Sequence, residues 1–483
     1  MAMQLLRCKT PLGLFALLWA LAAALHYVEA HPLAGLPLYP FVLLLWLFPE
    51  RLWALASFAC AHLALLALDL PAAANHSVLA ILVNTCLLIG CVPALRSASP
   101  VSRPQRLWDS VRGPVQATVV MVYVCAVFHK LNSAFFEPNV SCATDQIAKL
   151  FELHGFAEPP VPITAFAFMS FLTVMIEAAI ALCLLWPRGR HWGATLGLLF
   201  HTGLGWAQFF DFATVVFALY LFFLPWDGIQ QYLGRMPRWV GGWCVSCLVV
   251  MGATSVFFYG IRQNPVIVTG PTWTLQADTL LCLFWTLMVW PLLFPLFCQR
   301  AGKRQEHCWT GAALAWLIPL IALVNGVTPY LGLKTVANYS MFSNLRTEGG
   351  QTNHLLIPAG QFFLADYQTD LVRITFLDGV PPEPWPWWVQ WAGGSDWVAR
   401  HARWLDEVPG ARVPFTEVRR ILQWWRAIGF TQAAISYERQ GVWYDTADAF
   451  ADRVLMPPLS FWERRLLAFR AVQEDGEASE CRW

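Results

Sequence analysis

Long stretches of apolar residues, separated by short polar segments, fill the first two thirds of the chain. A bilayer core of about 30 Å requires roughly 20 apolar residues in a helix, and the pattern predicts nine to eleven spans. The candidate spans are residues 11–29, 38–49, 52–70, 77–95, 114–132, 161–186, 192–209, 211–225, 241–261, 277–298 and 309–328. The second is short and bracketed by prolines, as in a re-entrant segment. The block 192–225 breaks near Asp211, so it forms either two short helices or one long helix.

The tail at 329–483 has a different pattern. Short β-like runs at 362–364 and 371–376 are followed by a Trp- and Pro-rich segment at 381–391. A helix is predicted near 415–428, because four apolar residues recur there at helical spacing, namely Val418, Ile421, Leu422 and Trp425. We therefore expect a mixed α+β extramembrane domain, with its tryptophans packed inside the domain in preference to lying at the membrane surface.

Composition supports this division. Hydrophobic residues make up 57% of the 483 positions and charged residues 13%, against roughly 25% charged in a typical soluble protein. Residues 1–328 hold 30 charged side chains, whereas the shorter tail holds 33. The fold class is thus an α-helical polytopic membrane protein, with a transmembrane domain at 1–328 and an extramembrane domain at 329–483. The net charge of +1 gives no reason to expect nucleic acid as a partner.

Basic residues predict the orientation, because Lys and Arg accumulate in cytoplasmic loops. With a cytoplasmic N-terminus and all spans crossing, the inner loops carry fourteen Lys and Arg and the outer loops carry two, Lys149 and Arg262. This bias places the loop 133–160 and the tail on the outer side, periplasmic or lumenal. Arg7 and Lys9 precede the first apolar run, which fits either a signal peptide or an uncleaved helix. We favour the uncleaved helix.

The cysteines and the absent motifs narrow the chemistry. Most of the 13 cysteines lie inside apolar stretches, which is typical of small buried hydrophobic residues and not of a disulfide framework. No CxxC pair lies near a histidine at zinc-ligand spacing, and the pair Cys244 and Cys247 lacks further ligands in the sequence, so we expect no metal. The chain also lacks a P-loop, a GxSxG elbow and an HExxH motif. Nucleotide and hydrolase chemistry are therefore poorly supported.

Two ionisable residues are predicted to lie near the outer membrane surface. His76 opens the span 77–95, and Lys130 lies at the end of the span 114–132. A lysine at a helix end commonly extends its amine into the headgroups. Here Phe128, Phe135 and Phe136 are expected to desolvate the amine and favour its neutral form, which acts as a base. His76 has an ordinary alternative role as a helix-entry residue within a capping segment.

Further polar groups are expected at membrane depth, where each is costly and therefore a functional candidate. Glu177 and His201 lie within predicted spans and can meet across neighbouring antiparallel helices. We favour a structural pair over a proton path. Gln208 and Asp211, near the break in the block 192–225, are candidates for lining a cavity.

Several of these residues resemble the vitamin K-dependent γ-carboxylases and their bacterial relatives, the horizontally transferred transmembrane (HTTM) domain proteins. The resemblance is strongest over residues 10–230 and extends more loosely to 329–335 and 344–350. It rests on motifs that occur in the family's order and at similar spacing: Asn75-His76-Ser77, Leu107-Trp108, Gln116, His129-Lys130-Leu131-Asn132, Glu177, Phe200-His201 and Phe209-Phe210.

The resemblance implies a specific reaction. Lys130 matches the family lysine that deprotonates reduced vitamin K, and His76 matches a histidine near the quinone. Oxygen then adds to the quinone anion, and the resulting strong base collapses to the epoxide. In the full family reaction this base removes a γ-proton from a protein glutamate, and carbon dioxide adds. A vitamin K-type quinol, O2 and CO2 are the implied co-substrates, with no metal.

Departures from the family pattern weaken the carboxylation part. His129 replaces a second lysine of the animal enzymes, Asn132 replaces their aspartate, and the tail is much shorter than their lumenal region. Quinol oxidation is thus better supported than glutamate carboxylation. The alternatives are a non-catalytic quinone- or lipid-binding scaffold whose tail recruits a partner, and a transporter that uses Glu177 and His201. The Ala-, Leu- and Trp-rich composition favours a bacterial inner membrane.

Overall fold

The computed structural model describes residues 10–30, 34–97, 99–155, 166–262, 272–297, 309–358, 360, 364–392, 394–402, 412–472 and 481. These residues are mostly helical and include one small antiparallel sheet near the C-terminus. They fall into two compact units. Unit 1 comprises residues 1–65, 79–127 and 144–323, and unit 2 comprises 66–78, 128–143 and 324–483. Unit 2 thus contains the whole chain from Val324 onward, together with two earlier segments that include the ends of helices and the connections between them.

Each of the eleven predicted spans contains a helix. In chain order the first thirteen helices are α1 (Pro11–Ala30), α2 (Tyr39–Leu47), α3 (Leu52–Leu66), α4 (Asn75–Leu95), α5 (Arg103–Lys130), α6 (Cys142–Leu153), α7 (Phe168–Leu185), α8 (Arg190–Leu204), α9 (Phe210–Tyr220), α10 (Trp226–Arg235), α11 (Arg238–Arg262), α12 (Thr272–Phe297) and α13 (Leu317–Val327).

Six helices of the described residues are long and apolar enough to cross a membrane, or seven if a bent pair is one span. The six are Pro11–Val28, Asn75–Leu95, Arg103–Lys130, Phe168–Leu185, Trp239–Phe257 and Ala313–Leu331. The expectation of nine to eleven spans is higher because helices α2, α3, α8 and α9 have 9 to 15 residues, too few for a full crossing. The part of α12 that counts as an apolar helix, Asp278–Phe294, is likewise shorter than a full span.

The block 190–220 consists of two short helices that fold back on each other. If residues 190–220 formed one straight helix, His201 and Tyr220 would be separated by roughly 28 Å, because each residue adds 1.5 Å along the axis. Their ring centroids are instead 6.4 Å apart. The reversal occurs at a π-helical segment, Gly205–Phe209, where Phe209 leaves helical backbone angles. The break therefore begins before Asp211.

Helix α5 contains a proline that another segment compensates. Pro114 has no N–H, which leaves the carbonyl of Ser110 without its helical donor. The N–H of Ala312 donates to that carbonyl at 2.8 Å, and the N–H of Gly113 donates to Thr310 O at 3.1 Å. A Cβ on Gly311 would lie 2.5 Å from the Pro114 ring, so only glycine allows this approach.

The tail of unit 2 folds as an α+β domain. Its strands are β1 (Leu371–Val380), β2 (Arg412–Pro414), β3 (Gln432–Arg439) and β4 (Val442–Thr446), paired antiparallel in the order β2-β1-β3-β4. Its helices are α14 (Trp387–Ala392), α15 (Gly394–His401), α16 (Phe415–Ala427) and α17 (Phe461–Arg465). Two of the expected β-like residues, Phe362 and Phe363, lie outside the described residues.

The predicted amphipathic helix is confirmed as α16, and its four apolar residues are buried. They pack in one hydrophobic cluster with alternate residues of β3, which include Ala433 and Ile435. Trp425 lies in this core, whereas Trp387 is exposed. Internal packing therefore accounts for some tryptophans of the tail and not for all of them.

Candidate functional site

Lys130 is buried in unit 2. It is the last residue of α5, it is only 2% exposed, and its Nζ lies 6.0 Å from the ring centroid of Phe135. Phe135 is itself completely buried. The amine is thus withdrawn from bulk solvent and lies near Phe135, one of the three phenylalanines expected around it.

Asn132 holds the chain immediately after this helix. Its Oδ1 accepts from the N–H of Phe135 at 2.9 Å, and its Nδ2 donates to the carbonyls of His129, at 2.8 Å, and of Ser343. A buried amide satisfies several backbone groups at once in this position. Asn132 therefore has a positioning role that ties the end of α5 to a distant loop.

That loop, residues 337–344, is an unusual backbone segment. Four non-glycine residues adopt positive φ angles, Ala337 (60°), Tyr339 (65°), Phe342 (51°) and Asn344 (54°). Such conformations cost free energy and persist where the surrounding structure enforces them, often at functional sites. Here Asn344 is held by its side chain, which donates to Val140 O at 2.7 Å and accepts from Cys142 N at 2.8 Å.

The loop 337–344 binds both segments that carry the predicted outer-surface residues. Asn75 Oδ1 accepts from Tyr339 N at 2.6 Å, and Asn75 precedes His76. Ser343 O accepts from Asn132, two residues after Lys130. Four residues of one chain span at most about 14 Å, so the two attachment points on the loop are near neighbours. The structure thus brings the two segments to a common loop.

Four rings form an aromatic cluster next to Lys130, made by Phe128, His129, Tyr330 and His354. The centroid of His354 is 4.5 Å from that of Phe128 and 5.5 Å from that of Tyr330. The centroid of His129 is 5.6 Å from that of Tyr330, and His129 Nε2 donates to Gly326 O at 2.9 Å. The four rings thus pack against one another at the end of α5.

The hydrogen-bond partners of His354 determine its tautomer. Nε2 donates to the carbonyl of Phe128 at 2.9 Å, and Nδ1 accepts from the N–H groups of Leu356 and Ile357 at 3.1 and 3.2 Å. The ring is therefore neutral with its proton on Nε2. Burial lowers the pKa of His354, an effect that outweighs the opposing bond to Phe128.

Unit 2 contains a second amine, which is partly buried. Lys334 Nζ donates to Ala337 O at 3.2 Å, at the start of the loop 337–344. Burial lowers the pKa of this amine to about 8. The sequence placed Lys334 within the looser part of the family resemblance and gave it no role.

The deeper predicted residues lie in unit 1, where His201 joins a hydrogen-bonded chain. His201 Nδ1 donates to Gly197 O at 2.9 Å, so its Nε2 accepts from Tyr123 Oη at 3.3 Å. Tyr123 Oη in turn lies 2.5 Å from Tyr220 Oη. Glu177 acts electrostatically on both tyrosine hydroxyls. His201 is thus linked to Tyr220 through Tyr123, and Glu177 is close enough to influence both hydroxyls.

The two remaining candidates at membrane depth are Asp211 and Gln208. Asp211 is buried, and its Oδ2 accepts from His26 Nδ1 at 2.8 Å. Gln208 belongs to the π-helical segment, and its side chain lies outside the described residues.

One covalent link went against expectation. Cys142 and Cys481, both in unit 2, form a disulfide. The general assignment of the cysteines as buried hydrophobic residues overlooked this pair. A signal was available, because both cysteines lie outside the apolar stretches and on the predicted outer side. His354, Tyr123 and Tyr220 were also missed, and nothing in their sequence spacing distinguishes them from packing residues.

Comparison with known proteins identifies no relative. No family model matches the chain, and no curated protein or solved structure matches it significantly.

Proposed function

We propose that this chain is an integral membrane enzyme, similar to the vitamin K-dependent γ-carboxylases, that oxidises a quinol to its epoxide with O2. The observation that carries the proposal is the buried amine of Lys130, at the end of an apolar helix, on a segment held by the same loop as the His76 segment. A positioned amine shielded from water is suited to remove a proton from a phenolic hydroxyl.

Each group of unit 2 then has a defined part. Lys130 accepts the proton of the quinol hydroxyl, and His76 lies on the neighbouring segment that borders the same loop. The rings of Phe128, Tyr330 and His354 provide flat surfaces for a quinone head group. A quinol and O2 give one epoxide and one water, so the residues need to move protons and no redox metal is required.

Carbon dioxide addition to a protein glutamate is the second half of the proposed reaction. It requires a substrate presented on the outer side, which is where the sequence prediction of a cytoplasmic N-terminus and eleven crossing spans places the tail. The Cys142–Cys481 disulfide supports an oxidising, periplasmic or lumenal location for unit 2. The proposed site is therefore the outer face of a membrane, in a bacterial inner membrane by composition.

A second candidate is a non-catalytic quinone- or lipid-binding scaffold. Strand β4 lies at the edge of the sheet, and Val442, Trp443 and Tyr444 on it are exposed. Such an edge can accept an added strand from a partner protein. This alternative keeps the quinone but assigns the protein a recruiting role.

The proposal is tested with purified protein in detergent, supplied with vitamin K hydroquinone under oxygen. We expect epoxide from the native protein and a loss of about 10²–10⁴-fold in Lys130→Met, the usual contribution of a general base. Lys149→Met is the matched control, because Lys149 pairs with Asp145 on α6. Folded protein that forms no epoxide from any quinol would favour the scaffold.

A further inference from the structure

An uncharged apolar segment follows His354. Residues 355–365 contain three leucines, one isoleucine and two phenylalanines, with a single polar side chain at Gln361. In the described part of this segment, Leu355, Leu356 and Leu364 are 59%, 66% and 79% exposed. Exposed leucines in such a number, without interleaved charge, are unusual on a surface that meets water.

Both ends of this segment are attached where candidate membrane spans end. Leu355 N donates to Leu131 O at 2.8 Å, and Leu131 directly follows the last residue of α5. Leu364 N donates at 3.0 Å to the carbonyl of Leu331, the last residue of the span Ala313–Leu331. Ends of spans lie at the boundary between hydrocarbon and headgroups. Leu355 and Leu364 are therefore both held at that boundary.

Other exposed apolar residues in the described part of unit 2 differ in their neighbours. Phe461 and Trp462 are followed by Arg464 and Arg465, which are also exposed. On β4, Trp443 lies two residues from Asp445. Charged neighbours of this kind suit a surface in contact with water or with a polar partner. Leu355 and Leu356 have no charged residue at this spacing on their C-terminal side, whereas Leu364 lies two residues before Asp366.

We propose that Leu355, Leu356 and Leu364 contact the acyl chains of the adjoining leaflet, the outer one in the predicted orientation. Lipid covers these side chains without requiring any charge complement, and the anchors at Leu131 and Leu331 place them at the correct depth. This contact does not depend on the proposed reaction. One consequence does rest on the proposed reaction. The aromatic cluster, which is joined to the segment through His354, adjoins the hydrocarbon, and a quinol would enter from there.

The test is a pair of labelling experiments on the full chain in lipid nanodiscs. Lipids with a diazirine in the acyl chain deliver a carbene inside the hydrocarbon, and hydroxyl radicals label residues in contact with water. Mass spectrometry then locates both modifications. We expect carbene on Leu355, Leu356 and Leu364 at several times the level found on Phe461 and Trp462, and protection of the same leucines from hydroxyl radicals.

Variants connect the labelling to the side chains. Leu356→Asn together with Leu364→Asn is expected to lower carbene labelling of the segment several-fold, whereas Val442→Asn leaves it unchanged. Carbene labelling of Phe168–Leu185, a candidate span, reports that each variant remains folded in the bilayer. Strong hydroxyl-radical labelling without carbene would overturn the proposal. Protection from both reagents would also overturn it, because it would show that a protein surface covers the segment.

Discussion

The two units both bury ionisable side chains, but they hold them by different means. In unit 1, side chains of facing helices bind one another, as in the chain from Tyr220 through Tyr123 to His201. In unit 2, the segments around Lys130 are held mainly by backbone groups of a loop distant in sequence, through Asn75 and Asn132. The first arrangement depends on helix-to-helix distance, and the second depends on how the loop 337–344 is tethered.

Breaking the disulfide is expected to have the largest effect on stability. Removing a native disulfide typically costs about 2–5 kcal/mol. Cys142 N binds Asn344 of the loop 337–344, so the Cys142→Ser, Cys481→Ser double variant should loosen that loop. Hydrogen exchange measured by mass spectrometry should increase at 335–345 and remain unchanged in α8 and α9. Equal increases in both units would contradict the distinction drawn between them.

Unit 1 can be perturbed separately through a glycine. A Cβ on Gly197 would lie 1.9 Å from Tyr220 Oη, so Gly197→Ala should push α8 and α9 apart at a cost of about 1–3 kcal/mol. Gly203 lies on the same helix with nothing near its Cβ position, and Gly203→Ala should be neutral or stabilising by up to about 1 kcal/mol. Thermal unfolding in detergent measures both. Similar midpoints for the two variants would show that this helix contact is not close.

From the neutral ring of His354 we predict that the stability of unit 2 depends on pH. Because burial lowers its pKa below the ordinary value of 6.5, the unfolded chain binds the proton more readily than the folded protein. Its contribution to stability is therefore complete above that value and is lost as the pH falls below it. His354→Leu should cost about 1–3 kcal/mol at neutral pH, through unsatisfied backbone groups, and less in acid. A constant cost across the titration would rule out a neutral ring.

Tyr123→Phe should have the smallest effect. It removes one hydroxyl from the chain between Tyr220 and His201, at a cost of about 0.5–1.5 kcal/mol. Tyr232→Phe is a matched control, since Tyr232 donates a single bond to Pro291 O. If the unit 1 chain also carries protons, Tyr123→Phe will slow proton uptake by liposomes that contain the protein, and the control will not. Equal uptake would leave the chain with a structural role.

The comparison also shows what the sequence could predict. Each of the eleven apolar runs contains a helix, but α6 and α10 were not predicted. Helical spacing located α16, because burial of one face leaves a periodic signal. The predicted importance of Lys130 and His76 was derived from span ends, which composition also marks. The sequence did not predict the loop 337–344 or the role of His354. Those features depend on backbone angles and on pairings between residues more than 200 positions apart, and no local pattern encodes them.

The same limit explains the missing tyrosines. Tyr123 and Tyr220 have the spacing of ordinary core residues, and their partners become evident only once α8 and α9 fold back. Glu177 and His201 were predicted because a charged or ionisable residue within a span is rare. A tyrosine at the same depth is common, so its hydroxyl carries no comparable signal.

Chemical rescue of Lys130→Ala tests whether the amine of Lys130 is the base. The variant is supplied with quinol, oxygen and increasing concentrations of methylamine, and epoxide is quantified by chromatography beside Lys334→Ala, which removes the other lysine amine of unit 2. We predict that epoxide formation is lost in Lys130→Ala, is restored in proportion to the methylamine, and persists in Lys334→Ala. Native-level epoxide in Lys130→Ala without added amine would contradict the assignment of Lys130 as the base.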